Sequence, residues 1–445
     1  MLLVAWYFPP DGGAGSQRPC SFANHLPDLG WDVSVLTRSA ERDRSRLETM
    51  DQGLLGGIDP RVSIDRILET GPIPEVLGRY EQNIAAIAGP FCTGLAGKVA
   101  GEQPAITLIT MSPFILSRLV PTLKSTSRTR VVLDLRDPWA LDYWPTTSRR
   151  NVRVQRRQML ETLRRVDGVV LNTVQARSEV LSSFGPSLPP DFDDRICVVE
   201  NGFSSQDFAD PVSAVTDQLV VSHFGTFLCD QLPYRQRPMT RIRNRFLGHS
   251  RGGIDRSGRT PHYLLEAAGT LARTTPEVFD SIRFRFIGHI DSHLRSCVDR
   301  CPCPEKVELI GYLDHSEMIR ELQSSTALFL PCGKLDASIR ELIVPGKTYE
   351  YLASCRPIIA ALHPGDALDL VLEAGGNYTC APCSSESIAA ALRGLHADWK
   401  AGSINGSVAR SAEFLGRYER GHLASRLSGF LEKILRLPVV GPDDA

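Results

Sequence analysis

Apolar and polar positions fall into blocks along this chain, and the blocks set up two successive rhythms of strand and helix. Residues 2 to 8 are continuously apolar, the pattern of a strand buried on both faces. A polar, glycine-rich loop follows over residues 9 to 18, Pro-Pro-Asp-Gly-Gly-Ala-Gly-Ser-Gln-Arg. Ser16 fits an N-cap and Pro19 a first helical turn. Phe22, Ala23, Leu26 and Leu29 then form one helical stripe, which stops at Gly30. Trp31 to Thr37 reads as the second strand, completing a βαβ unit with a glycine-rich first turn. Strand-like runs recur at 106 to 111, 131 to 135, 168 to 173 and 196 to 199. Helical patterns lie near 75 to 100, 114 to 124, 151 to 166 and 175 to 184. This alternation predicts a parallel sheet with helices on both faces.

The rhythm breaks after Val-Val-Glu-Asn-Gly-Phe (198 to 203), where an Asn-Gly turn opens a polar stretch reaching about residue 217. A domain boundary is expected there. A second alternation follows. Its strands are Leu219 to Phe224, Arg283 to Ile287, Val307 to Ile310, Ala327 to Leu330 and Pro357 to Leu362. The first four end at Gly225-Thr226, Gly288, Gly311 and Pro331. Residues 233 to 260 form an arginine-rich, weakly periodic insertion. Helical patterns near 384 to 398 and 407 to 436 close the chain.

Composition narrows the classes. A chain of 445 residues has room for two or three domains. Lys+Arg 50 against Asp+Glu 51 gives a net charge of −1, so no global field draws the chain to nucleic acid or membrane. No apolar run approaches the roughly 20 residues that cross a bilayer. Met1 runs directly into a strand-like segment without a basic n-region, so no signal peptide is expected. Eleven scattered cysteines, among them Cys197, Cys332 and Cys380 in predicted strands, suit reduced cytoplasmic thiols better than a disulfide scaffold. Cys297, Cys301, Cys303, Cys380 and Cys383 are close enough in sequence to consider as metal ligands. However, Cys380 ends a strand and Pro382 interrupts the last pair, so no metal site is expected.

Candidate chemistry concentrates in residues 338 to 360, where a loop ends at Pro345-Gly346, a short helix carries Lys347 and Glu350, and an apolar strand follows. Lys347 and Glu350 share a helix face. A lysine at a helix start suits phosphate, and a carboxylate suits sugar hydroxyls. An ordinary surface ion pair fits the same spacing. In the first half, Asp134, Arg136, Asp137 and Trp139 cluster at a strand end in Leu-Asp-Leu-Arg-Asp-Pro-Trp. That cluster is a site candidate or a buried ion pair holding a loop. The helix near 149 to 165 carries Arg149, Arg150, Arg153, Arg156, Arg157, Arg164 and Arg165. It is a solvated face or a surface for anionic lipid.

Taken together, these segments resemble the retaining glycosyltransferases of family 4. Tyr-Phe-Pro-Pro-Asp-Gly-Gly-Ala-Gly-Ser-Gln-Arg is similar to the family's opening, and Asp-Leu-Arg-Asp-Pro-Trp to the acceptor-domain motif of members that build bacterial surface polysaccharides. Val-Glu-Asn-Gly-Phe resembles the interdomain signature. Val-Glu-Leu-Ile-Gly-Tyr-Leu and Pro-Gly-Lys-Thr-Tyr-Glu-Tyr-Leu-Ala-Ser-Cys-Arg-Pro-Ile-Ile resemble the donor-domain signatures. The resemblance implies an α/β chain of GT-B fold, with two Rossmann-like, doubly wound parallel-sheet domains facing across a cleft. It places an acceptor domain over 1–205, a nucleotide-sugar donor domain over 215–405, and a C-terminal helix over 406–436 that crosses back to the first domain.

By position, the resemblance implies that Glu350 holds the ribose hydroxyls and Lys347 faces the diphosphate. Gly225 and Thr226 line the phosphates, and Gly311 and Tyr312 lie near the base. Gly12 and Gly13 approach the donor from the first domain. Many members carry two glutamates separated by seven residues, but the matching position here is Leu342, with Glu341 and Arg340 beside it. The usual Gly-Arg phosphate clamp is also missing, since Thr226 follows Gly225. Arg340 and Lys347 are expected to replace it. Glu341 is expected in the place of the first glutamate, and Asp137, partnered by Arg136, to orient or deprotonate the acceptor.

The implied reaction moves a hexose-type sugar from a nucleotide-diphosphate sugar to a hydroxyl of a glycan, lipid-linked intermediate or small molecule, with retention. No cofactor or metal is expected. The implied location is the cytoplasm, with peripheral contact to the anionic membrane. A nucleotide-sugar epimerase on the same fold and a non-catalytic scaffold are the rival readings.

Overall fold

The computed structural model describes residues 1–39, 50–67, 92–111, 113–137, 139–141, 149–214, 217–227, 256–335, 337–404 and 406–440. They form two compact units. One comprises Met1–Leu141, Arg150–Asn201 and the stretch from Arg420 onward; the other is Gly202–Glu419.

The first unit is a sheet of β1 (Leu2–Ala5), β2 (Ser34–Arg38), β3 (Ser63–Ile67), β4 (Ile106–Thr110), β5 (Arg130–Leu135), β6 (Gly168–Leu171) and β7 (Ile196–Val198). Their order is β3-β2-β1-β4-β5-β6-β7, and every pairing is parallel. Strand order reverses between β1 and β4, where open α/β sheets receive ligands at the carboxyl ends. β3 carries few fully apolar positions, and nothing in its polar pattern marks it as a strand.

Helix Ala14–His25 begins earlier than a Ser16 cap would allow. Gly13 serves as N-cap with extended backbone, its amide donating to Asp11 Oδ1 at 3.0 Å, while Ser16 is buried within the first turn. The second strand starts at Ser34 rather than Trp31, since the Trp31 amide still donates back to Leu26 O at 3.2 Å. The helical pattern near 75 to 100 lies partly outside the described residues; a helix covers 92–102.

The expected helix over 407–436 is two helices, Ala412–Gly416 and Arg420–Arg436. The chain between them is held by a hydrogen bond from Phe203 N to Tyr418 O of 3.0 Å. Only the second helix belongs to the first unit. There Leu423, Leu427, Phe430, Leu431 and Ile434 join the core with Leu3, Ala5, Leu108, Val132 and Val170. Gly168 permits this packing: a Cβ there would lie 2.9 Å from Ile434 Cδ1 and 3.1 Å from Phe430 Cζ.

A buried ion pair ties this unit together. Arg18 donates from Nε and Nη2 to both oxygens of Asp134 at 2.7 to 3.0 Å, and from Nη1 to Val199 O at 2.7 Å and Glu200 O at 2.8 Å. Helix Ala14–His25 is thereby fixed to the ends of β5 and β7.

The second unit is a sheet of β8 (Leu219–Phe224), β9 (Ile282–Ile287), β10 (Val307–Ile310), β11 (Ala327–Pro331), β12 (Ile358–Ala361) and β13 (Tyr378–Cys380). The order is β10-β9-β8-β11-β12-β13, again with parallel pairings. Cys332, expected in a strand, lies one residue past β11. One core layer joins Leu219, Val221, Phe284, Phe286 and Phe329 to helices His262–Thr274 and Ser385–Lys400. The other joins Phe224, Leu328, Leu330, Ile358 and Ala360 to Tyr349, Tyr351 and Leu352. The switch point lies between β8 and β11.

No helix among the described residues is long and apolar enough to cross a membrane. The described cysteines are free thiols.

Asp134→Ala should destabilise the chain by about 3–5 kcal/mol, because it strands the Arg18 charge in the interior. Denaturant unfolding checks this; a loss below about 1 kcal/mol would show that the pair is not a structural tie.

Candidate functional site

Helix Lys347–Ala353 organises the carboxyl edge of the second sheet. It starts where Pro345 and Gly346 end a loop, with Thr348 N donating to Pro345 O at 2.9 Å. Lys347 and Tyr351 are four residues apart and share a face. Both reach Phe224, the last residue of β8. Lys347 Nζ donates to Phe224 O, and Tyr351 Oη accepts from Phe224 N at 2.9 Å. The helix thus holds one peptide unit of β8 on either side of Phe224.

The backbone of the next residue favours glycine, and any side chain there would displace Lys347. Gly225 has φ of +103°, and a Cβ there would lie 2.8 Å from Lys347 Nζ. Its amide donates to Ile287 O at 2.8 Å, closing the ends of β8 and β9 together. Gly288 then approaches Gly225 so closely that a Cβ would sit 3.0 Å from the Gly225 carbonyl carbon. Gly288 N in turn donates to Gly311 O at 3.2 Å. Gly225, Gly288 and Gly311 are therefore neighbours along one edge, with Tyr312 45% exposed beside them.

His223, Thr226, Arg259, Leu330, Pro331, Pro345 and Lys347 line a small recess that opens to solvent. Arg259 ends the turn Arg256–Arg259 ahead of helix His262–Thr274. Gly258 lets that turn lie flat, since a Cβ there would come within 2.4 Å of Cys332 O. Burial lowers the Lys347 ammonium from 10.5 to about 8, and the Arg259 charge adds to this against Cys332 and Glu350. Burial and the neighbouring Lys347 hold His223 well below its ordinary 6.5. The floor of the recess is thus cationic, with a neutral imidazole beside the cations.

The expected residues distribute unevenly. Thr226 and Lys347 meet at the recess, and Gly225 lies against Lys347 beside it. Glu350 is half-buried in the first turn of the same helix, close enough for its charge to act on Lys347. Arg340 does not line the recess. It pairs with Asp369 of helix Asp366–Ala374, both side chains half-exposed. Arg259 stands where Arg340 was expected.

Glu341 is 6% exposed and is fixed by backbone pairing, its amide donating to Pro364 O at 2.8 Å. Its carboxylate accepts from Ile343 N at 3.1 Å, yet burial pushes it from 4.5 to about 7.

In the first unit, Gly12 and Gly13 lead into helix Ala14–His25. Arg136 donates to Gly15 O and lies 3.8 Å from Asp137 Oδ2. Burial raises the Asp137 carboxyl, with Arg136 opposing. Asp134 is taken out of that cluster by Arg18. Among the described residues, no group of three or more His, Cys, Asp and Glu is placed to hold a metal ion.

Sequence reasoning missed His223, Arg259 and Tyr351. A signal existed for the first: Leu-Val-Val-Ser-His-Phe puts a histidine next to the end of a buried strand. Arg259 lies in the stretch read only as an irregular insertion, whose residues 228–255 are outside the described ones.

No protein-family model matches the chain, and no curated protein matches it. Solved structures do. Sucrose-phosphate synthase from Thermosynechococcus elongatus superposes with a TM-score of 0.66 at 11% identity, covering 97% of this chain and 98% of that one. HepE from Anabaena, in complex with UDP and glucose, gives 0.61 at 14%, covering 97% and 98%. Trehalose-6-phosphate synthase OtsA gives 0.64 at 12%, covering 98% and 99%. The fold is GT-B. At such identities the likeness is one of fold.

Glu341 generates a test of the site's burial. Its folded pKa of about 7 exceeds its ordinary 4.5, so the folded chain binds the proton more tightly. Stability from this group is full below about pH 4.5 and is lost as pH rises through 7. Glu341→Gln should therefore gain on the parent by about 2–3 kcal/mol between pH 5 and pH 8 in denaturant unfolding. Parallel stability curves would show that the carboxyl is not buried as described.

Proposed function

We propose that the chain is a retaining glycosyltransferase of family 4 type. It transfers a hexose from a nucleotide-diphosphate sugar to a hydroxyl acceptor. The observation that carries this reading is the convergence of Lys347 and Arg259 on one recess at the β8–β11 switch point. Two converging cations, one of them held against Phe224 O, suit a diphosphate diester, and they suit the departing nucleoside diphosphate better still as its charge grows. The resemblance in the donor-domain motifs supports the same reading, as does the bound UDP of the HepE structure. With Lys347 and Arg259 in these positions, the reading requires no divalent cation.

Glu350 holds the ribose hydroxyls, and Gly311 and Tyr312 adjoin the base. Glu341, held near neutrality, hydrogen-bonds hydroxyls of the transferred sugar. In the first unit, Asp137 orients the acceptor hydroxyl with Arg136 as its partner. Retention follows from same-face displacement, in which the leaving phosphate helps take the acceptor proton. The acceptor is a glycan or lipid-linked intermediate of the cell envelope. Helix Arg149–Leu163 supports an anionic membrane surface as the place of reaction: Arg153 and Arg157 are exposed on it beside Val154, which is 55% exposed.

Binding of UDP, GDP, ADP and dTDP by calorimetry tests the reading. One of them should bind, and Lys347→Ala and Glu350→Ala should each weaken it by about tenfold or more. Lys347 must be charged to hold the anion, so affinity should be steady from about pH 7, where the terminal phosphate of the nucleotide is ionised, to about pH 8 and fall above it. Parent-like affinity in both variants would refute the site. Epimerised sugar in the absence of any acceptor would favour the epimerase, and no nucleotide binding at all would favour a scaffold.

A further inference from the structure

His223 is fully enclosed at the end of β8, and the mechanism above gives it no role. Resting on the donor-site reading, we propose that His223 is a positioning residue. Its unprotonated Nε2 holds the Lys347 ammonium so that one N–H is directed into the recess, toward the donor diphosphate.

The tautomer follows from the partners. Nδ1 lies 2.9 Å from Phe329 O, and a carbonyl only accepts, so Nδ1 carries the proton. Nε2 therefore presents a lone pair. It faces Lys347 Nζ at 3.4 Å, a long contact whose only donor is the ammonium. The ring cannot turn away. It is stacked on Phe227 at 4.0 Å with 23° between planes, and Phe329 meets it edge-on at 6.4 Å.

An ammonium has three N–H groups. One goes to Phe224 O and one to His223 Nε2. Tetrahedral geometry then sets the direction of the third, and Lys347 lines the recess beside Thr226 and Arg259. The charged and titratable groups around the pair are Arg259 from the turn before helix His262–Thr274, Cys332 after β11, and Glu350 on the lysine's own helix. Lys347 and Arg259 both oppose a second proton on the imidazole, so it remains an acceptor through the neutral range. A protonated or apolar ring in this place would leave the lysine with one partner and free to swing.

The test uses the full chain and whichever of UDP, GDP, ADP and dTDP binds the parent most tightly. His223→Phe should weaken binding about tenfold, and His223→Gln, which returns an acceptor oxygen near Nε2, should stay within about threefold of the parent. In a Lys347→Met background, His223→Phe should cost nothing further. The pH at which affinity starts to fall should also drop in His223→Phe, because the lost acceptor stabilises the charged lysine. If the phenyl ring prevents folding, His223→Leu carries the same comparisons. Three results would overturn the proposal: parent-like affinity in His223→Phe, a Gln variant as weak as the Phe variant, or an undiminished loss on top of Lys347→Met. Failure of the donor reading looks different, because the parent and Lys347→Met would then bind the nucleotide alike or not at all.

Discussion

The grip of helix Lys347–Ala353 on Phe224 is the constraint on which the rest of the second unit's site depends. Lys347 holds the Phe224 carbonyl and Tyr351 its amide, so helix and strand end are fixed at adjacent bonds. That grip explains the glycines. With Lys347 Nζ against the chain, a side chain at residue 225 would displace the lysine, and the left-handed backbone there turns toward β9. Gly288 must then lie against Gly225, and Gly311 against Gly288. The same grip sets the electrostatics. A lysine enclosed beside an arginine loses part of its hold on the proton, and a diphosphate would restore it.

The first unit solves the same problem with a different cation. Arg18 binds Asp134 with two nitrogens and the carbonyls of Val199 and Glu200 with a third. In both units a helix that leaves the loop after a strand sends a basic side chain back to neighbouring strand ends. The difference lies in what is left over. Arg18 gives four of its five N–H groups to protein acceptors and serves structure. Lys347 spends two of its N–H groups and lines a recess with the third.

The fold was legible because it depends on patterns a single chain displays. Buried parallel strands read as apolar runs, and glycine or proline marks their carboxyl ends. β3 escaped because an edge strand needs no continuous apolar run. The helix over 407–436 was read as one because its apolar spacing carries across the turn at Arg417–Glu419, whose bonds to Phe203 only the folded chain reveals. Within the candidate site, Lys347 and Gly225 were legible from local spacing. Arg259 was not, since only the close packing of Gly258 on Cys332 brings its turn to β11. Arg340 misled for the opposite reason: adjacency in sequence to Glu341 says nothing of Asp369, which lies on a later helix and captures it.

A donor diphosphate seated on Lys347 would shield that amine, and chemical footprinting reads the shielding residue by residue. Burial lowers Lys347 to about 8, so at that pH a larger share of it is free amine than of an exposed lysine. Acylation of the full chain by acetic anhydride, read lysine by lysine through peptide mass spectrometry, would be compared with and without saturating nucleoside diphosphate. Lys347 should be strongly protected, with exposed lysines such as Lys433 unchanged. Equal labelling of Lys347 in the presence of bound nucleotide would contradict that seating.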